Sequence, residues 1–332
     1  MALTARHSST VPSLLRRFST PPLVHSSRPP APLSPMLKKI LLLAFAAVTS
    51  VRSAPATPRG LIGVKDSDVL QYALFLEHLE NAFYRGALAQ FDEAAFAAAG
   101  HPPNIREGFV EIGQHEAAHV NFLSDALGGQ ARQPCDYNFG IPSLSVDTFI
   151  FLSRTLESIG DSAYIGAAYL IKSPSYLTSA AGILSVEARH QAWVAASAAG
   201  SKPFPQAIDQ PLLTSEVVVQ ALALITSCPD PLPVLPDLIN ELGLTLSDHS
   251  PAPGASVVAH VTPANGTRTA HYVAWLNGSG VEYSELGRNG ETTVPQGLNG
   301  TVYAIAVSSK PEDAGMPSVA SLLSGVAVAN VS

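Results

Sequence analysis

Two copies of one sparse pattern of residues constrain the fold of this chain more than any other feature. Each copy has a glutamate followed seven residues later by a tyrosine, and then a glutamate followed three residues later by a histidine. In an α-helix, residues at either spacing share a face. Four helices that each direct a carboxylate inward, two of them with an imidazole, favour a two-metal site in a helix-bundle core. The residues are Glu77, Tyr84, Glu116 and His119 in the first copy, and Glu157, Tyr164, Glu187 and His190 in the second.

The hydrophobic spacing around these residues predicts four long helices. Apolar side chains recur at steps of three and four on the faces that carry the glutamates, and Gly or Pro residues separate the segments. Asp66 or Ser67 is expected to cap the first helix. The predicted helices cover residues 66–90, 104–127, 145–172 and 176–199, and a fifth helical run covers 214–227.

The link between the second and third predicted helices indicates how the bundle is connected. It spans 128–144, and 17 extended residues reach about 56 Å. A helix of 25 residues is only about 37 Å long. The link can therefore cross the whole bundle, and two hairpins joined by one long crossover form a ferritin-like topology rather than a simple up-and-down bundle.

The four glutamates of the pattern lie on stripes that otherwise carry Leu, Ile, Phe and Ala. Because an unpaired buried carboxylate is very costly, four converging ones call for cations, and carboxylate-rich ligation suits two Fe or Mn ions better than copper. In the alternative, the stripes are rotated and the acids face solvent. Tyr84 and Tyr164 are candidates either to hydrogen-bond liganding carboxylates or to serve as core aromatics. Glu80, one turn from Glu77, is a further candidate ligand.

A competing interpretation rests on the run His115-Glu116-Ala-Ala-His119, which fits the H-E-x-x-H helix of zinc peptidases. The extended form of that motif fails, because Phe122 stands where glycine is needed and Asp125 where a third histidine is needed. The peptidase interpretation also leaves the second copy of the pattern unexplained.

The last quarter of the chain has a different character. A Pro-rich connector begins at Cys228, and beyond about residue 250 short β-like runs alternate with Asn-Gly and Pro-Gly type turn signals. These runs predict a small β-sandwich, Ig-like, over residues 250–332 after a helical region over 66–245. Together they make an α+β multidomain chain. The predicted strands cover residues 257–261, 271–276, 292–294 and 302–308, and N-glycosylation sequons occur at Asn265, Asn277, Asn299 and Asn330.

The N-terminal residues, 1–53, are expected to be a targeting region. Met36 and two lysines precede a short apolar run and small residues suited to cleavage before Ala54, which is typical of a signal peptide over about 36–53. That run is too short to span a bilayer. Residues 1–35 are Ser-, Pro- and Arg-rich, so either translation begins at Met36 or the stretch is a mitochondrial transit sequence. Secretion is favoured.

Charge and cysteine content agree with secretion and exclude some partners. From Ala54 onward there are 12 basic and 26 acidic residues, a net charge of −14, which gives no electrostatic footprint for nucleic acid or an anionic membrane. The two cysteines, Cys135 and Cys228, are an even number in a chain that enters an oxidising compartment, so they are expected to pair; two buried free thiols are the alternative.

The segments LEHLENAFY, QHEAAHVNFL, LESIGDSAY and VEARHQAW resemble the ferritin-like domain of plant desiccation-related proteins and of fungal secreted proteins associated with nutrient stress and sexual development. The resemblance covers about residues 66–245, and the β-rich tail resembles the fungal members more loosely. It implies Glu77 and Glu157 as terminal ligands, Glu116 and Glu187 as bridging ligands, and His119 and His190 as one ligand for each metal.

The resemblance and the pattern together predict a secreted ferritin-like protein with a dinuclear iron or manganese centre that reacts with O2 or peroxide and serves in stress or development. The alternative is a non-catalytic stress or cell-wall glycoprotein module, in which the bundle has a structural role. Neither interpretation specifies an oligomeric state.

Overall fold

The computed structural model describes residues 63–204, 206–233, 235, 243–261, 269–278, 280–312, 315, 317 and 321–331. The predicted targeting region, 1–53, and the sequon at Asn265 lie outside the described residues. A helical region is followed by a C-terminal domain of antiparallel sheets, so the predicted α+β class is confirmed. In the described part of the chain, no helix is long and apolar enough to cross a membrane.

Four long helices form the bundle, and their bounds lie close to the predicted ones. The first long helix packs against the second, and the third packs against the fourth, so that the bundle consists of two adjacent hairpins. A π-helical turn, Val194–Ala198, extends the last long helix. The helices are α1 (Asp66–Gln90), α2 (Glu93–Ala98), α3 (Pro103–Leu127), α4 (Val146–Ala167), α5 (Pro174–Trp193) and α6 (Thr214–Leu222). Of these, only the six-residue α2 was not predicted as a helix.

The start of α1 differs from the predicted cap. Lys65, rather than Asp66 or Ser67, occupies the N-cap position. The Asp66 carboxylate instead accepts hydrogen bonds from the backbone N–H groups of Lys172 and Ser173, at 2.7 and 3.0 Å. The prediction was wrong because Asp66 binds the turn between α4 and α5, and this contact joins the two hairpins at one end of the bundle.

The long crossover between α3 and α4 is attached to the segment that follows α6. Strand β1 (Asp136–Tyr137) of the crossover pairs with β2 (Ile225–Ser227), and the Cys135–Cys228 disulfide joins the same two segments. The predicted disulfide is therefore confirmed. Residues 225–227, predicted as the end of the fifth helix, form a strand instead, because pairing with the crossover outweighs their helical pattern.

The C-terminal domain consists of two antiparallel sheets with a shared apolar core. One sheet has the order β3-β4-β7 and the other β6-β5-β8-β9, the Greek-key connectivity of an immunoglobulin-like sandwich. Strands β3, β6 and β9 were not predicted, and β3 begins within the interval 66–245 that was assigned to the bundle. The strands are β3 (Leu244–Leu246), β4 (Ser256–Val261), β5 (Tyr272–Asn277), β6 (Gly280–Glu285), β7 (Glu291–Thr293), β8 (Gly300–Val307) and β9 (Leu322–Val331).

Strands β5, β8 and β9 of the four-stranded sheet are buried on both faces. On one face, Trp275 and Val302 pack with Leu244 and Val257 of the three-stranded sheet. On the other face, side chains of β5, β8 and β9 pack against α1, α4 and α6 in one continuous core. Tyr303 anchors this second contact, because its hydroxyl donates to the carbonyl oxygen of Ser158 at 2.7 Å. The sheet therefore covers the outer surface of α1 and α4, which carry two of the six candidate ligands.

Candidate metal centre

The structure brings together the six residues that the pattern singled out as ligands. They lie in the middle of the bundle, with α1, α3, α4 and α5 each contributing one glutamate and α3 and α5 each adding a histidine. All four glutamates are 0 % exposed and the two histidines are 8 % and 5 % exposed. The residues are Glu77, Glu116, His119, Glu157, Glu187 and His190.

The six side chains form two overlapping clusters that could each hold a metal ion. Within each cluster, one ligand atom from every residue lies within 4.8 Å of the others. Glu116 and Glu187 belong to both clusters, one centred on His119 and the other on His190. The clusters therefore have one histidine and one further glutamate each, and they share two carboxylates.

The ring nitrogen atoms show why this arrangement suits a cation. Nδ1 of His119 lies 3.2 Å from Glu77, 3.4 Å from Glu116 and 3.2 Å from Glu187. Nδ1 of His190 lies 3.1 Å from both Glu116 and Glu157. A ring nitrogen carries at most one hydrogen, so it can donate to only one of the carboxylates around it.

The shared carboxylates are the ones left without a hydrogen bond. The ring of His119 bonds with Glu77 and that of His190 with Glu157, whereas all four carboxylate oxygens of Glu116 and Glu187 are buried without a hydrogen-bond partner. Buried unpaired carboxylates are very costly. Ligand atoms at right angles around a first-row metal, each about 2.1 Å from it, lie about 3 Å apart, close to the observed nitrogen–oxygen separations. The residues present therefore fit metal ions.

Two tyrosines support the outer glutamates, and they do so crosswise. The Tyr84 hydroxyl on α1 donates to Glu157 on α4, and the Tyr164 hydroxyl on α4 donates to Glu77 on α1. Each tyrosine thus holds the glutamate of the other hairpin. Such bonds fix the orientation of a liganding carboxylate and leave its second oxygen available.

Burial and mutual repulsion raise the pKa values of several carboxylates when no metal is present, whereas His119 and His190 outweigh burial at Glu116 and lower its pKa to about 2. Burial raises the pKa of Glu77 to about 7. Burial, and next the charge of Glu116, raise the pKa of Glu187 well above its usual range. The pKa of Glu80 rises for the same reasons, with Glu187 as its first charged neighbour. A bound cation would oppose each of the upward shifts, because it stabilises the ionised form.

The pKa values of the two histidines are also raised, but by the neighbouring carboxylates and not by burial. Burial lowers the pKa of His119, but the carboxylates of Glu116, Glu187 and Glu77 outweigh burial and raise it to about 12. The pKa of His190 rises to about 10 for the same reason. Without metal, the site therefore holds protons on both rings, and metal binding has to release them.

Glu80 lies beside the clusters but belongs to neither of them. Its side chain is 4 % exposed, and a methyl group at Gly160 would meet Oε1 of Glu80 at 2.8 Å and Oε2 of Glu187 at 3.3 Å. Gly160 of α4 thus leaves room for two adjacent carboxylates. Helical spacing predicted Glu80 as a candidate, but no sequence signal indicated Gly160, because a glycine within a helix can have many causes.

His115, the first histidine of the H-E-x-x-H run, points away from the carboxylates. It is exposed, its Nδ1 lies 2.9 Å from Nε2 of His190, and the two rings stack. Neither metal cluster of the described residues contains it. The geometry therefore does not support the zinc-peptidase interpretation, and it places His115 behind a candidate ligand instead. The sequence signal for its position was the four-residue spacing from His115 to His119, which places both histidines on one face of α3.

The sequons of the described region differ in accessibility. Asn277 and Asn330 are only 7 % and 3 % exposed, and Oδ1 of Asn330 accepts a hydrogen bond from Thr301 at 2.9 Å. Asn299 is half-buried beside β8. Glycosylation stays a prediction, and a glycan at either buried asparagine would have to displace the contacts of its side chain.

Comparisons with known proteins agree with the fold of the helical region. Residues 65–199 match the family model described as a ferritin-like domain. The chain is also similar to the protein rds1 of Schizosaccharomyces pombe, with 26 % identity over 154 residues. That match covers 43 % of this chain and 38 % of the relative, so it spans well under half of either protein. The helical part of the chain, from residue 65 to residue 199, is a ferritin-like domain.

Proposed function

We propose that this protein is secreted and that its ferritin-like domain binds a dinuclear iron or manganese centre that reacts with O2 or peroxide. The observation that carries the proposal is the pair of shared carboxylates, Glu116 and Glu187, whose four oxygens are buried without a hydrogen-bond partner between two histidine rings. A single divalent ion would leave one of the two clusters without its counter charge. Two ions would satisfy both.

Each proposed ion would be held by one histidine, one outer glutamate and the two shared glutamates. Iron or manganese bound there would supply the redox chemistry and the Lewis acidity that reaction with O2 or peroxide requires. Carboxylate oxygens dominate the ligand set, which favours Fe and Mn over copper. The proposed ligands are Glu77, Glu116, His119 and Glu187 at one position, and Glu116, Glu157, Glu187 and His190 at the other.

The surroundings of the site support this role. The hydroxyl groups of Tyr84 and Tyr164 hold the outer carboxylates in place. On the Tyr84 side, Phe83, Phe109 and Phe149 form a packed aromatic cluster. Apolar packing of this kind excludes water and strengthens the electrostatic interactions inside the site.

Secretion and a role in stress or development are part of the same proposal. The disulfide is typical of an oxidising compartment, and the N-terminal apolar run after Met36 is typical of a signal peptide. The resemblance to fungal secreted proteins favours the stress or developmental role. The alternative remains a non-catalytic glycoprotein module, and metal content separates the two.

Elemental analysis of the mature protein, purified from its secreting host, tests the proposal. We expect about two Fe or Mn per chain in the wild type and almost none in the double variant Glu116→Ala, Glu187→Ala. The variant Glu107→Ala, Glu111→Ala removes two exposed glutamates of α3 and is the matched control, which should keep its metal. A folded wild-type protein that takes up neither metal on reconstitution would overturn the proposal and favour the structural module.

A further inference from the structure

A cavity lies between the bundle and the sheets, on the side of the metal clusters where Glu80 is found. Its volume is about 150 Å³, and side chains of α1, α4, α6 and β9 line it. Most of the wall is apolar, including Leu79, Phe83 and Ile159. An apolar cavity of about this size is known in other proteins to stay dry and to accept benzene-sized molecules.

The few polar side chains of the wall differ in what they bind. Oγ1 of Thr155 donates to the carbonyl oxygen of Phe151 at 3.1 Å, and the side-chain amide of Gln220 donates to the carbonyl oxygen of Val326. Nδ1 of His249, a third polar group of the wall, lies 3.4 Å from the carbonyl oxygen of Val328. These three groups therefore already have partners in the protein. Glu80 is different, because its carboxyl has no hydrogen-bond partner among the described residues and its charged neighbours are other glutamates.

We propose that this cavity binds a small uncharged molecule with an apolar body and one hydroxyl group, of about the size of phenol. The apolar wall takes the body of the molecule, and a hydroxyl group pairs with the Glu80 carboxyl because it can both donate and accept a hydrogen bond. An anion is excluded by the four glutamates around Glu80. The same molecule without its hydroxyl group would leave a buried carboxyl unpaired, which disfavours its binding.

Glu80 lies between the cavity and the proposed metal centre. Oε1 of Glu80 and Oε2 of Glu187 lie 2.8 and 3.3 Å from the position that a methyl group on Gly160 would take. A hydroxyl group bound at Glu80 would thus lie next to a carboxylate shared by both metal clusters. Binding itself depends on the cavity wall and on Glu80, so it does not require the proposed metal centre.

Calorimetric titration of the mature full-length protein with phenol, toluene and benzoate tests the proposal. We expect phenol to bind, toluene to bind at least tenfold more weakly, and benzoate not to bind. In the variant Glu80→Met, the preference for phenol over toluene should disappear. Absence of phenol binding to the wild type, or equal affinities for phenol and toluene, would overturn the proposal.

Variants of the wall show whether phenol binds in this cavity. Thr155→Trp should weaken phenol binding at least tenfold by filling the cavity. Thr178→Trp is the matched control, because Thr178 on α5 is exposed and its hydroxyl makes the equivalent bond to the carbonyl oxygen four residues earlier, at 2.8 Å. Ala223→Leu, at the end of α6, is a second filling variant if Thr155→Trp does not fold. Wild-type affinity in a folded filling variant would refute the assignment.

The two proposals fail in different ways. Phenol titrations with metal-loaded and with chelated protein should give similar affinities, whereas elemental analysis alone reports on the metal. A protein that contains metal but does not bind phenol would support the metal centre and refute the cavity proposal. A protein that binds phenol but takes up no metal would support the cavity proposal and refute the metal centre.

Discussion

The hydroxyl group of Tyr84 on the first long helix donates a hydrogen bond to the carboxylate of Glu157 on the third. Its counterpart, Tyr164, makes the reciprocal bond to Glu77, so the two hairpins of the bundle hold each other's outer glutamate. Because each bond crosses between hairpins, the geometry of the site depends on how the hairpins pack and not on either one alone.

Tyr84→Phe is expected to lower metal affinity by about 10- to 100-fold, because the outer carboxylate loses the bond that orients it. Tyr164→Phe should have a similar effect through Glu77. Titration of the metal-free protein with Mn(II), followed by elemental analysis, measures both. Tyr283→Phe removes a hydroxyl bond to the carbonyl oxygen of Gly315 in the C-terminal domain and should leave metal affinity unchanged. Equal affinities for all four proteins would contradict the role of the two tyrosines.

Removal of metal is expected to lower the thermal stability of the wild-type protein. Without cations, the carboxylate oxygens of Glu116 and Glu187 stay buried without a hydrogen-bond partner. At a metal concentration 100 times the dissociation constant, binding stabilises the native state by about 2.7 kcal/mol. The melting temperature with and without EDTA measures the loss. The variant Glu116→Gln, Glu187→Gln should melt at the same temperature in both conditions, and an equal EDTA effect on both proteins would argue against metal at this site.

His115→Ala separates the two metal hypotheses. His115 contacts the far nitrogen of His190 and belongs to neither cluster, so its loss should weaken metal binding by about 10- to 100-fold without abolishing it. A zinc-peptidase site would lose its metal entirely in this variant and keep it in Glu187→Ala. Metal content of the two variants decides between these outcomes. Gln114→Ala, at the exposed neighbouring position, is the control.

Asp161 is expected to make stability depend on pH. It is 1 % exposed, Oδ2 has no hydrogen-bond partner, and burial, aided by the charge of Asp209, raises its pKa from 3.8 to about 7. Because the folded-state pKa lies above the unfolded one, the contribution of Asp161 to stability is full below about pH 4 and is lost as pH rises to about 7.

The variant Asp161→Asn tests this contribution. The pKa shift of Asp161 corresponds to about 4 kcal/mol. The difference in free energy of unfolding, variant minus wild type, should therefore be larger at pH 8 than at pH 4 by up to that amount. Urea unfolding at both pH values measures the difference. Asp125→Asn, on the exposed side of α3, should show no such change. An equal difference at both pH values would mean that Asp161 is ionised at neither or at both.

Reduction of the Cys135–Cys228 disulfide is expected to lower the free energy of unfolding by about 4 kcal/mol in the chain-entropy model. The bond closes a loop of 93 residues that contains α4, α5 and α6. Urea unfolding of the wild type and of Cys135→Ser, Cys228→Ser measures the effect. Metal content should survive in the variant under native conditions, since neither cysteine lies in a metal cluster. Loss of less than about 1 kcal/mol would mean that the strands β1 and β2 hold the segments together without the bond.

The helical part and its site could be predicted because their signals are local. The face that carries Glu77 and Tyr84 is set by helical spacing alone, and the second copy of the pattern supplied the partner glutamates. The bounds of α1 were predicted to the residue. The crosswise pairing of the tyrosines, in contrast, depends on how two hairpins pack, and no spacing within one helix carries that information.

The sheets were predicted less well, also for a physical reason. Strand β9 is buried along nearly its whole length, so its sequence lacks the alternation that marks a half-exposed strand. The end of the fifth helical run failed because Ile225 pairs with a strand far away in sequence. Gly160 and His115 were missed as parts of the site because each acts through a contact between helices.

Strands β5, β8 and β9 are buried on both faces, so neither face of this part of the sheet contacts water. The sheet and the bundle therefore share one hydrophobic core. A protein truncated after the last long helix would expose the apolar face of α1 that carries Leu79, and such a patch favours aggregation. The division near residue 245 thus separates two stretches of sequence but not two independent folding units, and the shape of the carboxylate site is maintained in part by strands that contribute no ligand to it.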